Sequence, residues 1–296
     1  MPLAHPLAVV LIAISVWWLS TGLVLALVYR SNTARRSLVL MAVMTLVGAG
    51  GFGLMLYGAA QQTVLGSYAG FFGALLIWAW HEAAFLSGLV TGRRSQCPVG
   101  LIGFARFKAA WQAVRDHEIA ILITVLLLWF ALSDAANLYG LAAFGLLWVM
   151  RISAKMLIFL GAPHAVSELM PSGITHLKRH FRTDRTTPLF PILLAAATGV
   201  FAILVIGAAR SSADHDVVGH TLLATFMALA IIEHLILVLP VSDTALWRWA
   251  MARKDKRKPA QRRPSDRVTA IQGALPATPR ASWGAVAHDT IGKRKD

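Results

Sequence analysis

Four places in the chain set an imidazole beside a carboxylate: His81-Glu82, His117-Glu118, His164 with Glu168, and Glu233-His234. His81-Glu82 and Glu233-His234 lie inside apolar runs. An ionisable side chain there is costly and needs a partner or a ligand to justify it. Four carboxylates and four imidazoles at one level are the ligand set of a di-metal oxygen-chemistry site. In such bundles, helices project carboxylates and histidines inward onto two irons or two manganeses. The candidate metal ligands are His81, Glu82, His117, Glu118, Glu168, Glu233 and His234. One feature argues against them. The pairs are neighbours and lack Glu-x-x-His spacing, and adjacent residues on a helix point ~100° apart.

Two other chemistries compete for the same residues. Arg151 and Lys155 are cations inside a further apolar run, placed to neutralise Glu82, Glu118 or Glu233. The histidines would then serve as hydrogen-bond or proton-handling partners in a charge-compensated cluster. The third chemistry is pigment ligation by His234 and His117, each of which follows an alanine at x-x-x spacing (Ala230 and Ala113). A small residue one turn before a histidine leaves room for a tetrapyrrole such as bacteriochlorophyll, whose magnesium the imidazole holds. In so alanine-rich a chain that spacing has little specificity.

The elements that carry these residues are membrane helices. Of 296 residues, 57% are hydrophobic and 14% charged, against about 45–50% and about 25% in soluble domains. Apolar runs of about 20 residues predict seven spans: Leu7–Val28, Leu38–Ala59, Val64–Val90, His117–Ser133, Leu138–Gly161, Leu189–Ala209 and Val217–Leu239. The first run is long enough to span and lacks a basic leader, so no cleaved signal peptide is expected. In the second, Gly48, Gly50, Gly51 and Gly53 form either a packing face or a kink. Between the third and fourth spans, Phe104–Trp111 alternates aromatic and basic residues, as a helix lying in the interface would. The single Cys97 forbids an intramolecular disulfide.

Charge distribution orients the bundle. The net charge is +14, but 13 of the 28 Lys and Arg follow Val241, and most of the others punctuate apolar segments. A nucleic-acid binder would gather them on one folded face, so nucleic acid is not an expected partner. The 1–2, 3–4 and 5–6 connections hold twelve basic residues, and the alternate ones hold only Arg210. The positive-inside rule then puts the N-terminus outside and the C-terminus in the cytoplasm, in an inner (cytoplasmic or intracytoplasmic) membrane. His81-Glu82 falls ~14 Å and Glu233-His234 ~10 Å from that face, at ~1.5 Å per residue. His117-Glu118, His164, Glu168, Arg151 and Lys155 share the same leaflet, and the outer leaflet is expected to be bare. The expectation is therefore an all-α, polytopic bundle over residues 1–240, followed by a basic, largely disordered cytoplasmic tail over 241–296 that binds anionic lipid.

Several strings in order carry a resemblance. They are Trp80-His81-Glu82, Ser87-Gly88, Thr91-Gly92-Arg93-Arg94, Cys97-Pro98, Arg106-Phe107 and His117-Glu118-Ile119-Ala120. Further on come Met150-Arg151-x-Ser153-Ala154-Lys155, Phe159-Leu160-Gly161, His176-Leu177 and Leu189-Phe190-Pro191. This set resembles the photosynthetic complex assembly protein PuhE family of purple phototrophic bacteria, over roughly residues 7–240. The resemblance implies a multi-pass protein that supports assembly of the reaction-centre and light-harvesting apparatus and its bacteriochlorophyll supply. Its partners would be subunits of those complexes or pigment-synthesis proteins. It implies no reaction and no ligand set. His164 stands where the family pattern tends to have Asn, whereas Glu168 stands where it also carries an acid. The rival function is a membrane di-metal oxidase or hydroxylase acting on a lipid, carotenoid or tetrapyrrole. A transporter would need ionisable groups through both leaflets.

Overall fold

The computed structural model describes residues 2–31, 33–92, 101, 103–165, 170–241, 247 and 249–250. Seven α-helices run in chain order: α1 (Pro6–Arg30), α2 (Ala34–Ala59), α3 (Val64–Leu86), α4 (Gly103–Leu132), α5 (Tyr139–Leu160), α6 (Leu189–Arg210) and α7 (Asp214–Val238). Two 3-10 segments, Pro2–Ala4 and Ser172–His180, complete the regular structure, and no strand occurs among the described residues. Helices other than α4 are 22 to 26 residues long and apolar enough to cross a membrane. At ~1.5 Å per residue each exceeds the ~30 Å hydrocarbon thickness. The protein is an all-α, multi-pass membrane bundle.

Starts and stops follow local chemistry. Pro6 occupies the first turn of α1, where a missing N–H costs nothing. Thr63 caps α3 by accepting from the Gly66 amide at 3.0 Å. Asp214 and Asp216 lie in the first turn of α7, at the positive end of its dipole.

Helix α4 differs from its expected form. The expected interfacial segment at Phe104–Trp111 and the span from His117 are one continuous helix of 30 residues. The reason is plain in the sequence, since neither glycine nor proline occurs between Gly103 and Leu132 to break it.

The core is organised on α3, which packs against α1, α2, α4, α5 and α7. Its contact with α2 is the most extensive, and glycines on both helices make it. A Cβ on Gly58 would stand 2.4 Å from the Gly70 nitrogen, and one on Gly73 would stand 2.6 Å from the Gly51 carbonyl oxygen. Gly70 also meets Gly140 of α5, whose added Cβ would come within 2.8 Å of it. Such close approach lets three backbones pack without intervening side chains. Of the cluster noted in α2, only Gly51 serves this seam tightly. Gly50 and Gly53 face open space, and Gly48 lies loosely over Trp80. Around the seam sit Phe71, Phe144, Leu128, Leu222 and Phe226, with the Phe71 and Phe226 rings edge-on at 4.6 Å. Helix α6 lies outside this core, packed mainly on α7, with Ala197 its one buried residue.

Beyond α7, the chain returns to α1. Trp247 meets Trp17 at 5.4 Å between ring centroids, and Trp249 meets Trp18 at 5.5 Å. Trp247 Nε1 donates to the Trp18 carbonyl at 3.4 Å. Gly22 makes the room, because a Cβ there would overlap the Trp249 ring. The rest of the expected tail, Cys97-Pro98 and Glu168 lie outside the described residues.

Candidate functional site

Helix α5 gathers the polar residues of the basic end. Arg151 and Lys155 are four residues apart and so share a face, while Ser153 between them points elsewhere. Each of the three reaches a different neighbour. Arg151 Nε and Nη2 donate to the two oxygens of Glu82 on α3, at 3.0 and 3.1 Å. Lys155 Nζ donates to Glu118 Oε1 on α4 and also sits over the Phe85 ring, 4.9 Å from its centroid. Ser153 Oγ lies 2.7 Å from His234 Nε2 on α7. Glu233, next in chain to His234, adds negative charge to the surroundings of Arg151. One helix therefore ties three others together through two ion pairs and a hydrogen bond.

The histidines divide by what their ring nitrogens find. Thr124 Oγ1 donates its one proton to the Ala120 carbonyl at 3.1 Å. His81 Nε2, 3.0 Å away, is then the donor to that hydroxyl, and His81 Nδ1 carries a bare lone pair. That Nδ1 is buried and has no partner. His234 Nδ1 faces the Ala230 carbonyl at 2.7 Å and donates to it, while its Nε2 shares the Ser153 hydroxyl with the Met150 carbonyl, which lies 2.8 Å from Ser153 Oγ. His117 is 1% exposed, with its ring 4.4 Å from Phe85 and 6.3 Å from His81. Both of its ring nitrogens lack a partner, as does Glu118 Oε2. Buried polar atoms without partners are uncommon and cost about 1–3 kcal/mol each. These four atoms sit on His81, His117 and Glu118, so among the described residues the α3–α4 contact gathers several unsatisfied polar atoms in one place.

Two of the candidate carboxylates already have cationic partners. Glu82 is occupied by a bidentate arginine and Glu118 by a lysine. Among the described residues no three of His, Cys, Asp and Glu come together as a metal ion would need. His164 is exposed in a turn, its amide bonded to the Leu237 carbonyl at the end of α7. The pigment geometry is equally crowded. His234 is 2% exposed with Nε2 on Ser153, and His117 is closed over by Phe85. Neither ring presents an open face to a macrocycle in this packing.

The other end of the bundle corrects one expectation. It is not bare of ionisable groups. Tyr139 at the start of α5 donates to Asp216 Oδ1 at 2.8 Å, and its hydroxyl is 2.9 Å from His220 Nδ1. His220 Nδ1 also reaches the Asp216 carbonyl at 2.9 Å. Asn137 donates to the Gln61 carbonyl at 2.9 Å, and Ser67 to the His215 carbonyl at 2.9 Å. The Asp216-x-x-x-His220 spacing could have revealed the network. It stayed hidden because α7 begins at Asp214 and draws Asp216 into its first turn, whereas the apolar run begins only at Val217. Gly219 packs against the face of the Tyr139 ring, so any side chain there would displace it.

Comparison with known proteins sets this geometry in a family. Residues 3–258 match the family described as "Protein of unknown function (DUF3623)". The chain is 34% identical over 253 residues to an "Uncharacterized 30.4 kDa protein in puhA 5'region" of Rhodobacter capsulatus, covering 83% of this chain and 91% of the relative. No solved structure matches.

Proposed function

The chain belongs to the DUF3623 family, and from that premise we propose that it is an integral membrane assembly factor for the photosynthetic reaction-centre and light-harvesting apparatus. The observation that carries this reading is the name of the Rhodobacter capsulatus relative, which sets it in the 5' region of puhA. A multi-pass bundle with a buried charge cluster suits a protein that works by contact. We place the cluster in the cytoplasmic leaflet of the inner (cytoplasmic or intracytoplasmic) membrane, with the N-terminus outside. Its α3–α4–α5 face is where a nascent subunit or a bacteriochlorophyll-supplying protein would be engaged. The oxidase reading is weaker, because the carboxylates that would bridge two metals accept from Arg151 and Lys155.

Deleting the gene in a phototrophic host tests the proposal. Reaction-centre and antenna absorption should fall together and recover on complementation with the wild-type gene. A deletion strain with normal levels of both complexes would overturn it. Complementation by a fully folded Glu82→Gln variant that restores neither complex would assign the work to the cluster.

A further inference from the structure

A second place on the basic end has the chemistry of a binding site, and it is distinct from the α5 cluster. A cavity of about 290 Å³ opens between the first turn of α4 and the link that follows the 3-10 segment Ser172–His180. It is lined by Leu101, Arg106, Phe181, Arg182, Thr183 and Asp184. The two arginines differ in what balances them. Arg182 Nε donates to Asp184 Oδ1 at 3.0 Å, and that bond holds the exposed Asp184 carboxyl below its usual range, ionised at neutral pH. Arg106 Nη2 donates to the carbonyls of Phe181 at 2.9 Å and His180 at 3.4 Å, which fixes the guanidinium in place. Its Nε is buried without an acceptor, and among the described residues no carboxylate forms a salt bridge with Arg106.

Among the described residues, this half-buried guanidinium is held by carbonyl oxygens alone, a cation without a counter-ion. Arginine's planar fork suits phosphate and carboxylate oxygens, and the start of a long helix adds favourable positive potential for an anion. The Thr183 hydroxyl at the lip can donate to one as well. With Asp184 offsetting Arg182, the cavity keeps a net charge of about +1, and Lys178, Arg179 and Arg185 surround it in sequence.

We propose that this cavity binds an anionic phosphate group, carried either by a phospholipid headgroup or by a soluble phosphate ester. Arg106 is the fixed charge of the site, and Arg182 and Thr183 close on the phosphate from the opposite side. Asp184 limits the affinity.

The test uses the full-length protein, stripped of lipid in mild detergent and titrated under native mass spectrometry. The titrants are short-chain phosphatidylglycerol, phosphatidylcholine and inorganic phosphate. Arg182→Gln and Thr183→Asp should weaken the anionic ligand at least tenfold. Asp184→Asn should tighten it several-fold, a gain that a merely structural role would not produce. Thr183 and Asp184 are exposed, so these variants read the site without disturbing the fold, which Arg106→Gln would put at risk. Arg210→Gln, at the far end, should change nothing. The pattern with phosphatidylglycerol alone identifies a lipid headgroup site, and the same pattern with inorganic phosphate identifies a soluble phosphate ester. Binding that is insensitive to Thr183→Asp and Asp184→Asn, or that Arg210→Gln weakens equally, overturns the proposal.

Discussion

The two ends of α5 are tied to their neighbours by opposite means. At the basic end, α5 reaches α3 and α4 through full charges, Arg151 to Glu82 and Lys155 to Glu118. At the other end, α5 reaches α7 through a phenol, a carboxylate and an imidazole at Tyr139, Asp216 and His220. A buried ion pair gains little over an apolar replacement, because desolvation offsets the attraction, but loss of one partner strands a charge. At the other end Asp216 lies in the first turn of α7 with its side chain 40% exposed, so water can take the place of a lost partner. The basic end is thus intolerant of single changes and the opposite end forgiving.

That contrast can be broken in graded steps. The largest loss should come from Lys155→Met, which leaves Glu118 buried without its cation. About 3–5 kcal/mol is expected for breaking a buried pair, read as a fall in unfolding midpoint in detergent. The double variant Lys155→Met with Glu118→Gln should recover most of it. If the double is as unstable as the single, the pair is not what holds α4 to α5. Glu82→Gln should cost less, since the long Arg151 side chain, 40% exposed at the bundle surface, can snorkel toward the headgroups once its partner is lost. Gly58→Ala, which drives a Cβ into the Gly70 backbone, should cost about 1–3 kcal/mol by overpacking. At the other end Tyr139→Phe should cost about 1.5 kcal/mol or less, the low end for a hydrogen bond to a carboxylate, because Asp216 is 40% exposed. A loss there as large as that of Lys155→Met would erase the distinction between the ends. Smallest of all, chelator treatment should leave the midpoint unchanged, and purified protein should carry less than one equivalent of iron or manganese.

The spans were legible because membrane helices announce themselves by length and hydropathy. Expected and observed boundaries of α5 and α6 agree within one residue at each end. Hydropathy divides α4 into two pieces because Arg115, Asp116 and Glu118 interrupt its apolar pattern without interrupting its backbone. The residues of the cluster stood out as ionisable groups in apolar runs. Which carboxylate meets which cation is set by helix rotation, which composition does not encode. The orphan nitrogens of His81 and His117 were illegible for the same reason. The glycine seam was half visible: the cluster in α2 drew notice, but the partner row Gly66, Gly70 and Gly73 in α3 is spaced too widely to catch the eye.

The return of Trp247 and Trp249 onto α1 bears on the order in which the molecule can be made. Helix α1 is made before α2 to α7, yet it packs on α7 and on the tryptophans that follow it. Its chief neighbours are therefore made after the other helices. Until then Trp17, Trp18 and the small notch at Gly22 stand uncovered in the lipid, so α1 waits for Trp247 and Trp249 to find its place. A chain stopped after α7 would keep every span and still lack the clasp that joins its beginning to its end.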